Sequence, residues 1–96
     1  MPIASYPSPP PRTNYELGAL AAREFLLDKQ LTLARYRLFR PSELREVLEN
    51  DVGEQCKEYR AGFLDAIGAY ICLTLEGSQP DPANWNPLTV MRARRL

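Results

Sequence analysis

Apolar residues recur at every third or fourth position in two long stretches of this chain, separated by charged or proline-containing segments. That is the period of an α-helix, on which residues three and four apart share a face. The first stretch opens at Thr13 and Glu16, the spacing of a capping box in which each side chain satisfies an orphan backbone N–H. No proline follows until Pro41. Leu17, Leu20, Leu27, Leu31, Ala34 and Leu38 fall on one heptad-like stripe, which predicts a long helix from Asn14 to about Phe39. An interruption near Asp28 stays open, and so does a strand over residues 31–39, because Leu31-Thr32-Leu33 alternates.

Pro41 ends that element, and Ser42 can cap a short second helix carrying Leu44, Val47 and Leu48. Asp51 with Glu54 offers another capping box and predicts the start of the main helix. There Val52, Cys56, Tyr59, Phe63, Ala66, Tyr70 and Leu73 repeat at intervals of four and three. Between Ala61 and Leu75 only Asp65 and Thr74 are polar. A helix apolar nearly all round is the buried centre of a small bundle, or it is covered by a second subunit. Gly77 is a natural C-cap, and Pro80 and Pro82 prevent continuation.

The ends read differently. Residues 1–12, with Pro2, Pro7, Pro9, Pro10 and Pro11, predict an extended polyproline-like arm. Residues 78–96 form a second arm, in which Trp85 sits between turn-formers and either pins the arm to the domain or meets a partner. The expectation is an all-α domain over residues 13–77: a long helix, a short helix and a buried long helix.

Two segments echo each other as Tyr-x-x-Gly-x-Leu-x-Ala, one from Tyr15 through Gly18 to Ala22 and one from Tyr59 through Gly62 to Ala66. Glycine inside a helix costs about 1 kcal/mol relative to alanine. Two such glycines predict a close crossing, with Gly18, Ala21 and Ala22 facing Gly62, Ala66 and Ala69. Asp65, within the apolar run, needs a partner such as a tyrosine hydroxyl or an arginine of another helix, unless it is an acceptor at an interface. The second echo, through Tyr59, Gly62, Phe63, Asp65 and Ala66, resembles a motif of the ribosome modulation factor family. Tyr15 and Gly18 are similar to that family's first helix, and small helix-pair proteins of bacteriophages and other mobile elements show comparable patterns. The resemblance implies a helix-hairpin core and carries no RNA ligands over to the matching residues.

Composition narrows the chemistry. The 96 residues suit one domain, and 12 cationic against 12 acidic residues argue against a chain that blankets nucleic acid. The charge is uneven: Lys29, Arg35, Arg37 and Arg40 are followed by acids from Glu43 to Glu58, and Arg92, Arg94 and Arg95 close the chain. Lys29, Tyr36 and Arg40 would share a stripe able to hold RNA by phosphate pairing and stacking or to dock an acidic protein; it can equally be an ordinary solvated face, or pair with the acidic helix that follows, within the fold or between copies. There is no histidine, which removes the usual general base and the commonest metal ligand. Neither a phosphate-binding glycine loop nor a metal-binding cysteine pair is present, so no enzyme, cofactor or metal is expected. Cys56 and Cys72, about 24 Å apart on one predicted helix, cannot pair and read as reduced, half-buried thiols. With no signal peptide and no run able to span a bilayer, a cytoplasmic protein without a membrane partner is expected. The preferred function is a protein-interaction module: an assembly subunit, adaptor or small inhibitor of a larger machine, with a homodimer as one way to cover the apolar helix. The alternative is a small RNA- or ribosome-binding factor using the basic stripe at 29–40 and the C-terminal arginines.

Overall fold

The computed structural model describes residues 12–94, so the proline-rich arm, Arg12 apart, lies outside the described residues. Four helices follow in order: α1 (Asn14–Tyr36), α2 (Ser42–Glu49), α3 (Lys57–Leu75) and α4 (Pro87–Arg94). Among the described residues the fold is all-α, with one helix more than the sequence predicts.

α1 starts at the expected capping box: the Glu16 N–H donates to Thr13 Oγ1 at 3.1 Å, and the Thr13 N–H donates to Glu16 Oε1 at 3.0 Å. The helix runs unbroken past Asp28 and is helical from Leu31 to Tyr36, which removes the strand alternative there. It stops short of Phe39, because Arg37 turns left-handed (φ 54°) and its N–H bonds the Leu33 carbonyl at 2.9 Å. The leucine stripe is not the core face. Leu17, Leu31, Ala34 and Leu38 are exposed, whereas Gly18, Ala19 and Ala22 are buried, with Tyr15, Phe25 and Leu26 packed beside them. Small residues took the inside because only they allow α3 to lie against the α1 backbone.

The connection into α3 also departs from expectation. Pro41, not Ser42, occupies the cap position of α2, and the Glu43 side chain accepts the Arg40 N–H at 2.9 Å. Asp51 and Glu54 form no capping box; residues 50–55 are a turn, and α3 begins only at Lys57. Gly53 fits this turn where a side chain would not, since a Cβ there would lie 2.6 Å from the Leu48 carbonyl oxygen and 2.7 Å from that of Glu49. Val52 is buried and anchors the turn in the core.

α3 ends as the sequence predicts. The Gly77 N–H bonds Thr74 O and the Ser78 N–H bonds Leu73 O, the paired bonds of a Schellman cap, with Gly77 at φ 92°. The helix is nevertheless not a buried centre. Phe63, Ala66, Ile67 and Ala69 are buried, but Ala61, Leu64, Ile71, Cys72 and Leu75 are exposed. Cys56, just before the helix, is also exposed, so both thiols are free and on the surface rather than half-buried.

Where an extended C-terminal arm is expected, the chain turns over residues 80–86 and forms α4 against α1 and α3. Pro82, Trp85, Pro87 and Met91 are buried, and the Trp85 ring meets Tyr70 edge-on at 5.5 Å. Arg23 holds the turn through Nε to Pro82 O (3.0 Å) and Nη2 to Ala83 O (2.9 Å). Asn86 caps α4 by accepting the Leu88 N–H at 3.0 Å.

Candidate functional site

Two clusters of residues singled out by the sequence, and a third that was not, can be placed on this frame. The first is the crossing of α1 and α3. A Cβ on Gly18 would lie 1.9 Å from the Tyr59 carbonyl oxygen, and one on Gly62 would lie 1.9 Å from that of Tyr15. Each glycine therefore receives the backbone of the other helix, beside the tyrosine that opens the opposite echo. Tyr15 also donates its hydroxyl to Asp65 Oδ2 at 2.5 Å. Burial first, then the hydrogen bond and the negative charge of Asp65, push the Tyr15 hydroxyl up to about 12. Asp65 is thus held by the fold's own tyrosine.

The second cluster, the basic stripe, is divided among several settings. Lys29 turns toward α2, where its Nζ lies 2.7 Å from Glu43 Oε1, 3.2 Å from Asp28 Oδ2 and 5.2 Å from the Phe25 ring centre. The hydrogen bond to Glu43 holds the Lys29 ammonium above its ordinary value. Lys29, with help from the Arg40 N–H, holds Glu43 below the usual carboxylate range. Lys29 is therefore a tie between α1 and α2. Arg35 and Tyr36 are exposed at the end of α1, Arg37 is its cap, and Arg40 lies beyond the helix. Of the C-terminal arginines, Arg92 reaches Glu16 Oε2 at 3.7 Å, Arg94 ends α4 and Arg95 lies outside the described residues. Glu16 is itself held low, first by the Thr13 backbone N–H. Trp85, a candidate contact for a partner, is 7% exposed and belongs to the core.

The third cluster is the outward face of α3, and its residues were not among the sequence candidates. Leu64 is 50% exposed, Ile71 51% and Leu75 81%. With Ala61 and Gly68 they follow at steps of three, four, three and four, so at 100° per residue they form one stripe over about 21 Å. No charged residue interrupts it. Gly68 lies mid-stripe, and a Cβ added there would meet nothing within 4 Å among the described residues.

No known protein family matches the chain, nor does any curated protein or solved structure. Its own geometry is therefore the guide. Among the described residues, no group of three or more Cys, Asp or Glu side chains could hold a metal ion. No described helix is long and apolar enough to cross a membrane. The stripe on α3 was legible in principle, as the series Ala61, Leu64, Gly68, Ile71, Leu75. A second apolar series on the same helix, through Tyr59, Phe63, Ala66, Tyr70 and Leu73, hid it.

Proposed function

We propose that this chain is a non-enzymatic protein-interaction module, of the kind that serves as an assembly subunit, adaptor or small inhibitor of a larger machine, and that the outward face of α3 is its docking surface. The observation that carries this reading is the uncharged stripe of Ala61, Leu64, Gly68, Ile71 and Leu75, whose three large side chains stand at least half in water. Single exposed leucines are ordinary, but a continuous apolar stripe on a small domain marks a place of contact. Anchors at helical spacing suit a partner helix lying alongside. The alternative, an RNA- or ribosome-binding factor, draws on exposed Arg35, Tyr36, Arg37 and Arg40 but loses Lys29 to its tie with Glu43.

Retrieval of partners from a native lysate by wild type and by Leu64→Glu, with and without nuclease, tests the reading. Expected is a protein that survives nuclease, tolerates raised salt and is lost with Leu64→Glu. Material that Leu64→Glu still retrieves, that nuclease removes and that weakens steeply with salt would overturn the reading in favour of RNA.

A further inference from the structure

Resting on that reading of α3, we infer that the occupant of its outward face is a second copy of this chain, bound through an antiparallel α3–α3 seam. Three features of the stripe point to self-pairing. The first is its period. Ala61, Leu64, Gly68, Ile71 and Leu75 follow the alternating three- and four-residue steps of a helix that packs on another helix along its length.

The second feature is shape. When α3 lies against an antiparallel copy with the two-fold axis level with Ala66, Ala61 stands opposite the partner copy's position 71 and Leu64 opposite its position 68. Every large side chain of the central layers then meets a small one, isoleucine on alanine and leucine on glycine. Alternation of large and small across facing positions lets layers interdigitate. Shifting the two-fold by half a heptad toward the C-terminus puts Leu64 against a leucine and Ala61 beyond the partner helix, so the first register is preferred. Gly68 thereby acquires a purpose. Its missing Cβ answers nothing among the described residues, unlike those of Gly18 and Gly62. It supplies the hole for a leucine from the other copy.

The third feature is charge. Lys57 opens α3 on the line of the stripe and makes no ion pair among the described residues. A cation at a helix N-terminus opposes the macrodipole of its own helix. In the antiparallel seam it comes level with position 75 of the other copy, at that helix's C-terminal carbonyls, where the dipole favours a cation. A parallel pair would instead bring the two Lys57 ammonium groups together. The contact is isologous, the same patch used twice, as a closed two-fold dimer requires. One helix pair lies at the small end of specific interfaces, below about 1,200 Å² in total, so the dimer should dissociate on dilution.

Sedimentation velocity over a concentration series, joined to disulfide trapping, decides the matter. In a background with Cys56→Ser and Cys72→Ser, the pair Ala61→Cys and Ile71→Cys should give a covalent dimer on oxidation. Within one chain those positions are about 15 Å apart along the helix and cannot bridge. Ile71→Cys alone should trap little, and Leu64→Glu should shift the wild-type monomer–dimer midpoint at least tenfold toward monomer. A purified chain that is monomeric at every concentration, or a dimer trapped by Ile71→Cys alone as in a parallel pair, would overturn the inference. If the purified chain stays monomeric while Leu64→Glu still abolishes capture from lysate, the self-pairing falls and the docking surface stands. If it stays monomeric and Leu64→Glu leaves capture unchanged, both fall.

Discussion

Gly62 and Gly68 lie six residues apart on one helix and illustrate two uses of the same missing side chain. At Gly62 the other helix of the chain is already there, with the Tyr15 carbonyl oxygen 1.9 Å from where a Cβ would be. At Gly68 there is open space among the described residues. Each pays the same backbone entropy on folding. Only one recovers it within the monomer, through a close crossing that buries Ala22, Phe63 and Ala66. A helix glycine is therefore uninformative until its surroundings are known, and an unanswered one points outward.

The sharpest way to break this contrast is Gly62→Ala. Its methyl group would have to displace backbone rather than a flexible side chain. We expect a loss of about 3 kcal/mol, read by denaturant or thermal unfolding, with the midpoint falling by roughly 12–24 °C. Unfolding at the wild-type midpoint would show that the helices do not cross at this distance.

Tyr15→Phe tests the same crossing from its polar side and should cost about 1–2 kcal/mol by removing the donor to Asp65. The pH dependence gives a second readout. Because folding raises the Tyr15 hydroxyl from 10.0 to about 12, its neutral form is favoured in the folded state. The stabilisation is complete below pH 10.0 and is lost as pH rises toward about 12. Phenylalanine at this position should flatten that decline, and an unchanged slope would remove Tyr15 as its source.

Gly68→Ala is the smallest and the most telling of the three, because its sign should be opposite. In dilute, monomeric protein it should stabilise by about 1 kcal/mol, raising the midpoint by roughly 4–8 °C. Destabilisation of the monomer would mean that the space beside Gly68 is filled by the chain itself.

How much of this was legible beforehand depends on whether the responsible residues are neighbours in sequence. The Thr13–Glu16 box and the Gly77 cap are local, and both formed where the spacing placed them. Asp51 and Glu54 had equally good local spacing and did not cap, because Gly53 folds back on the carbonyls at the end of α2. The leucine stripe of α1 was sound as helical periodicity and misleading as a guide to burial. Hydrophobicity favours leucine inside, but a crossing this close has room only for glycine and alanine. Trp85 pins the segment to the domain, the first of its two expected roles, but α4 was missed because prolines and turn-formers around a lone aromatic resemble an arm. What folds that segment is distant: Arg23 holding the turn carbonyls and Tyr70 meeting the indole.

By itself, the sequence determined that the described residues are helical, where α1 begins and α3 ends, and that Gly18 and Gly62 mark a close approach. Those properties follow from capping geometry, periodicity and the conformational cost of glycine, all of which act over a few residues. Only the tertiary structure decided which face of each helix is inside, which acid of α2 Lys29 pairs with, and that the last segment is a packed helix. Two faces of α3 are both apolar, and composition cannot rank them. The packing of α1 and α4 covers one and leaves Leu64, Ile71 and Leu75 in water.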